Sequence, residues 1–130
     1  MIPPFIVQSA LEHAINLLAI TDHNSSANVD AVMKAAVGTP LTVLPGMEVQ
    51  TREEVHMLCL FDTLDQLFAW QAVVDSLLPN LENDVGLFGE QFVVDEAGGF
   101  VRREPRLLLT SVDISVEDAV DQVVALGGLA

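Results

Sequence analysis

The stretch Leu17-Leu18-Ala19-Ile20-Thr21-Asp22-His23-Asn24 runs from apolar residues into an acid and an imidazole, and small polar residues follow. In α/β enzymes the C-terminal end of a buried strand is where side chains reach a common crevice, so chemistry collects there. Imidazole is the commonest metal ligand, and a neighbouring carboxylate either orients it or binds in its own right. The competing reading of the same residues is a helix cap, Asp22 or Asn24, beside an incidental histidine. Glu48 follows the apolar run Leu41-Thr42-Val43-Leu44-Pro45-Gly46-Met47 at a second strand end. Its two oxygens suit it to bridging two cations, and a solvent-facing glutamate is the alternative. His56 opens a third apolar run, Val55 to Phe61. By alternation it shares a face with Leu58 and Leu60, while Val55, Met57, Cys59 and Phe61 take the other face. Both faces read as apolar, so we expect this strand to be buried on two sides and the histidine to need a partner, either a metal or a hydrogen-bonding group.

The elements that must position these residues follow from periodicity. Ile6, Val7, Ala10, Leu11, Ala14, Leu17 and Leu18 form a helical stripe after Pro3-Pro4. Leu17 to Thr21 reads as a fully buried strand. Asn24, Ser25, Ser26 and Asn28 offer cap chemistry for a second helix, with Val29, Val32, Met33 and Ala36 inward and Gly38 and Pro40 as its stop. Leu41 to Leu44 is a second buried strand, closed by Pro45-Gly46. Met47 to Gln50 and Val55 to Phe61 are neighbouring strands about the turn Thr51-Arg52-Glu53-Glu54. Leu64, Leu67, Phe68, Gln71, Ala72, Asp75 and Leu78 predict a helix ended by Pro79, with residues 80–90 irregular. Gln91 to Val94 and Gly99 to Arg103 flank Asp95-Glu96-Ala97-Gly98 as a hairpin. Ser115 caps a last helix carrying Val116, Ala119, Val120, Val123 and Val124 inward, with Gly127-Gly128 at its end and Leu129-Ala130 opening a strand. Strands alternating with helices predict βα units in one α/β domain over residues 1–130, with a mostly parallel sheet or barrel.

Composition narrows the function. With 130 residues, 51% of them hydrophobic, the chain can bury a core. No apolar run is long enough to span a bilayer, and the N-terminus lacks the pattern of a signal peptide, so a cytoplasmic protein with no membrane partner is expected. A net charge of −14, from 5 basic and 19 acidic residues, argues against duplex nucleic acid as a partner. It also means that an anionic substrate needs bound cations to hold it. Arg102, Arg103 and Arg106 form the only basic cluster, and charge balance is the favoured reading over a substrate phosphate. The single cysteine, Cys59, lies in an apolar run and reads as a buried, inert thiol. His13 falls off the first helix's stripe and reads as a surface residue.

Taken together, Ala19-Ile20-Thr21-Asp22-His23-Asn24, Leu44-Pro45-Gly46-Met47-Glu48-Val49 and Glu54-Val55-His56-Met57-Leu58 resemble motifs of the PHP (polymerase and histidinol phosphatase) superfamily in order, spacing and strand-end placement. The resemblance runs from about Pro3 to Ala130. It implies a distorted (β/α)7 barrel holding two or three divalent ions, zinc, manganese or iron, that hydrolyses phosphoesters by attack of a metal-activated water. Carried onto these motifs, His23 ligates one metal and Asp22 is the supporting catalytic acid. Glu48 bridges two metals and His56 ligates one of that pair. The substrate implied is a small phosphoester or nucleotide. The family's opening His-x-His strand and its later ligand strands have no counterpart here. The expectation is therefore a partial barrel with a small hairpin insertion, a phosphoesterase with little activity from this chain alone. The other reading is a binding or interaction module with a degraded site. Open sheet edges would favour homo-oligomers in either case.

Overall fold

The computed structural model describes all residues, 1–130. In chain order the elements are α1 (Pro3–Glu12), β1 (Leu17–Ile20), α2 (Val29–Ala35), β2 (Thr42–Gln50), β3 (His56–Leu60), α3 (Leu64–Leu77), α4 (Val85–Phe88), β4 (Phe92–Val94), β5 (Phe100–Arg103) and α5 (Val116–Ala125). The result is a mixed α/β domain with a three-stranded sheet, β1-β2-β3, and a separate hairpin, β4-β5. The sheet is open and is not mostly parallel. β1 runs parallel to β2, and β3 runs antiparallel to it.

The two strands expected at Leu41–Leu44 and Met47–Gln50 are one strand, β2, and its continuity is what assembles the sheet. Its first half, Thr42 to Pro45, pairs with β1, and its second half, Gly46 to Gln50, pairs with β3. Pro45 has no N–H to give, yet its carbonyl accepts from Phe61 N at 2.9 Å, so the ladder passes through it. Gly46 is required by space rather than by backbone angle. A Cβ there would lie 2.9 Å from the Ile20 carbonyl oxygen and 3.0 Å from both Leu60 Cδ2 and Thr21 Cγ2. The Pro-Gly pair that read as a stop is the point where β2 changes partners.

One face of the sheet is covered and the other is open. Met47, Val49, Met57 and Cys59 point into a core shared with Val29 and Val32 of α2 and with Leu67, Trp70 and Val74 of α3. Leu58 lies on the opposite face and is exposed, as is Leu17 at the free edge. The expectation that β1 and the His56 strand are buried on both sides is therefore corrected. Alternation was right, but no element of this chain covers the second face. β1 grades from an exposed Leu17 to a buried Ile20.

Helix boundaries differ for local reasons. α1 ends at Glu12, where the chain turns through Ala14 at φ +56, so the apolar stripe drawn to Leu18 runs across a turn into β1. α2 starts at Val29 without a side-chain cap. The Asn28 side chain is instead committed to the hairpin, donating to Phe92 O at 3.1 Å and accepting from Val94 N at 2.9 Å. α3 is held by a full capping box between Thr63 and Gln66, and its buried residues are Leu67, Trp70 and Val74, whereas Phe68 is exposed. Residues 80–90, expected to be irregular, contain α4, whose N-cap Asp84 accepts from Gly86 N and Leu87 N. The hairpin turns at Gly98, φ +85, as its sequence predicts. Ser115 caps α5 through Asp118 N. Val124 is exposed rather than inward, and Leu129 pairs as a single antiparallel bridge with Leu60.

Candidate metal centre

β-Sheet register brings three of the residues singled out in the sequence to one place. The chain after β1 continues alongside β2, where His23 and Glu48 form an isolated parallel bridge, with Asn24 N donating to Glu48 O at 2.8 Å and Glu48 N donating to Asp22 O at 3.1 Å. Paired residues present their side chains on the same face. Across the other edge of β2, His56 stands opposite Gln50, two residues beyond Glu48 on the same face. It therefore reaches Glu48 diagonally.

His23 Nδ1 lies 3.3 Å from Glu48 Oε2, and His56 Nδ1 lies 2.8 Å from Glu48 Oε1. The two imidazole rings stand edge to face with centroids 4.9 Å apart. Ligand atoms of all three side chains lie within 4.8 Å of one another. The site opens on the uncovered face of the sheet: Glu48 and His23 are half-buried, and the His56 side chain is 49% exposed.

The three side chains are of types that could hold a metal ion. Two imidazoles and a carboxylate are the protein half of a catalytic zinc site, which leaves a fourth position open. Two ligand atoms each about 2.1 Å from a tetrahedral ion stand about 3.4 Å apart. The 3.3 Å separation of His23 and Glu48 is near that spacing. His56 contacts the other Glu48 oxygen, however, and the ligand atoms of the group are spread over up to 4.8 Å, so the side chains have to close in to share one ion. The shorter His56 contact is a hydrogen bond, which has to open by about half an ångström to admit an ion. A side chain this exposed has room to do so.

Asp22 is placed differently. Its carboxylate is not among the three converging groups. It lies where two cavities meet. One, about 350 Å³, is bordered by His23, Phe88, Phe92, Glu90 and Glu104. The other, about 560 Å³, lies between α1, the end of β1 and the hairpin, and none of His23, Glu48 or His56 lines it. Burial pushes the Asp22 carboxyl above its ordinary value, and a hydrogen bond from Asn28 opposes the rise. By its accessible surface Asp22 is an exposed residue, so solvent keeps this rise small.

The remaining candidates resolve simply. Arg102 pairs with Glu104, Arg103 with Glu90 and Arg106 with Asp75, so the basic cluster balances charge. Cys59 is fully buried, with its thiol pushed up to about 12, chiefly by burial. His13 is exposed and hydrogen-bonds within its own helix, to Ser9 O.

Two residues that matter here escaped the sequence reading. Asn24, taken for a helix-cap residue, is fully buried at φ +50 and bonds to three separate segments. Gln91 binds the backbone of residues 104–108. For Asn24 the usable signal is its type, since asparagine is the non-glycine residue most tolerant of positive φ and it follows a strand-end histidine with no glycine nearby. Gln91 carries no such signal. Comparison with models of known protein families and with curated proteins gives no match.

Proposed function

We propose that the chain carries a divalent-metal centre of the PHP type, formed by His23, Glu48 and His56, and that its chemistry is hydrolysis of a phosphoester. One observation carries the reading: a single carboxylate, Glu48, receives an imidazole nitrogen on each of its two oxygens, from residues 25 and 8 positions away in the sequence. Three motifs of the family's pattern thus meet at one carboxylate. A carboxylate can accept a hydrogen bond on each oxygen, so these contacts alone do not demand a cation; what favours one is that three groups of metal-ligating type converge at a single place.

Electrostatics supports the substrate class. Around the site the protein offers no free guanidinium, because all three clustered arginines are committed to acids. In a chain of net charge −14, a divalent ion held by one carboxylate and two imidazoles would be the local positive centre that an anionic phosphoester needs. The ion, when bound, would supply Lewis acidity and an acidified water. His23 and His56 would hold it through ring nitrogens and Glu48 would offset part of its charge. Asp22, at the shared wall of the adjoining cavities, is the group we assign to proton handling. With three ligands a single ion is held, and turnover by this chain alone is slow.

The test is zinc and manganese titration of the purified 130-residue chain, followed by hydrolysis of bis(p-nitrophenyl) phosphate with each metal. Binding of one ion that is lost in Glu48→Gln supports the reading. Absence of binding at millimolar metal removes it.

The second reading, a non-catalytic interaction module, has its own observation. The sheet face bearing His56 also presents Leu58, 54% exposed, and the free edge of β1 presents Leu17, 56% exposed. An uncovered apolar sheet face with an unpaired edge favours association.

A further inference from the structure

We propose that Asn24 is a positioning residue, a buried clamp that sets the imidazole of His23 against Glu48; this rests on the metal reading above. The residue directly follows His23, and its own conformation is unusual for a side-chain-bearing residue, with φ +50. That conformation turns the chain sharply after the histidine. Asn24 uses both amide protons and its oxygen. Nδ2 donates to Leu108 O and to Thr110 O, each at 2.8 Å, and Oδ1 accepts from Gln50 N at 3.2 Å. Its backbone is equally committed, with N donating to Glu48 O at 2.8 Å and O accepting from Gln71 Nε2 at 3.3 Å.

The clamp therefore joins the loop bearing one ligand, His23, to the strand bearing another, Glu48, and seats both against residues 108–110. The seat is itself braced from a distance. Gln91 Nε2 donates to Glu104 O and Arg106 O, at 3.0 and 2.6 Å, and its Oε1 accepts from Leu108 N at 3.0 Å. A hydrogen-bonded path thus runs from Gln91 through Leu108 to Asn24, which the peptide bond joins directly to His23. A structural asparagine could satisfy these groups anywhere. Here its position adjacent to one ligand, bonded to the backbone of the other and to the residue two beyond it, ties the fold's irregular half to ligand geometry. Residues that orient metal ligands typically govern affinity by about 10- to 100-fold.

The experiment uses the full chain, zinc alone competed against a chromophoric chelator, and through-space NMR contacts between the His23 and His56 rings in metal-free protein. Asn24→Gly keeps the positive φ and deletes the amide, and Gln91→Ala loosens the brace without approaching a ligand. Asn24→Gly is expected to weaken zinc binding about tenfold or more and to lose the ring-to-ring contact. Gln91→Ala is expected to weaken zinc by about threefold, with an unchanged far-ultraviolet circular dichroism spectrum. A folded Asn24→Gly chain that binds zinc within twofold of the parent and keeps the ring contact overturns the proposal. If Asn24→Gly does not fold, unaltered zinc affinity and ring contact in Gln91→Ala overturn it instead. If the parent chain takes up no zinc, the metal reading fails, and the ring contact in the metal-free variants alone decides the role of Asn24.

Discussion

His56 Nδ1 lies 2.8 Å from Glu48 Oε1, although the residue directly opposite His56 in the β2-β3 ladder is Gln50. The contact is diagonal, and it leaves the other Glu48 oxygen free for His23 at 3.3 Å. One glutamate thereby organises two histidines from opposite edges of its strand.

Removing His56 separates the metal reading from a structural one. The side chain is about half exposed, and an exposed contact of this kind with a carboxylate contributes at most about 1 kcal/mol to stability. His56→Ala is therefore expected to leave the metal-free melting temperature nearly unchanged while zinc affinity, read by calorimetry, falls tenfold or more, about 1.4 kcal/mol. A variant that binds zinc as the parent does would remove His56 from the site.

The partner change within β2 predicts a sharp intolerance at Gly46. A Cβ there meets the Ile20 carbonyl oxygen at 2.9 Å, a backbone atom that moves only if β1 moves. Gly46→Ala is expected to cost about 1–3 kcal/mol, the usual range for overpacking, seen as a lower urea midpoint. Because Gly46 joins the half of β2 that holds β1 to the half that carries Glu48, zinc affinity should fall as well. A neutral substitution would show that the two sheet halves are less tightly coupled than their register implies.

The contrast between Gly46 and His56 explains what the sequence made legible. The candidate ligands were legible by type: His23, Glu48 and His56 are two imidazoles and a carboxylate beside apolar runs, and the register of the sheet brings them together, although Glu48 lies within β2 and not at a strand end as expected. Element types were also readable, because the periodicities of α3, α5 and the hairpin are local. What escaped was anything set by a distant neighbour. Pro45-Gly46 has the local signature of a stop, yet the approach of β1 and Leu60 makes it a continuation. Asn28 has the local signature of a cap, yet its amide is taken by β4. The second face of β3 read as buried because Leu58 and Leu60 are apolar, and alternation carries no information about whether anything packs there.

Cys59 gives a pH dependence whose sign follows from its burial. The folded thiol is pushed from its ordinary 9.0 up to about 12, chiefly by burial. Between those values the unfolded chain has lost a proton that the folded chain retains. Stability therefore falls as pH rises, by up to about 1.4 kcal/mol per pH unit, and is unaffected near neutrality. Denaturant melts across the alkaline range should show this slope, and Cys59→Val should flatten it. The same burial predicts that a thiol reagent labels Cys59 only as fast as the chain opens. Rapid labelling of the native protein near neutral pH would contradict the placement of Cys59 in the core.

Leu58 tests the interaction reading without replacing any of the three proposed ligands. It shares the open face with His56, stands opposite Glu48 in the ladder, and leaves 54% of its surface in water. Changing a residue so exposed is expected to alter stability by no more than about 0.5 kcal/mol. If the open face mates with a second copy, Leu58→Lys places a cation in each half of that contact. A dimer seen by light scattering in the parent should then become monomeric in the variant. If the parent is already monomeric at high concentration, the exposed face does not drive self-association. Leu58→Lys also adds positive charge beside the three ligands. Zinc binding should consequently weaken by a few-fold at low salt and recover as salt screens the added charge. A salt-independent loss would instead indicate that the substitution has disturbed the β2-β3 register that sets His56 diagonal to Glu48.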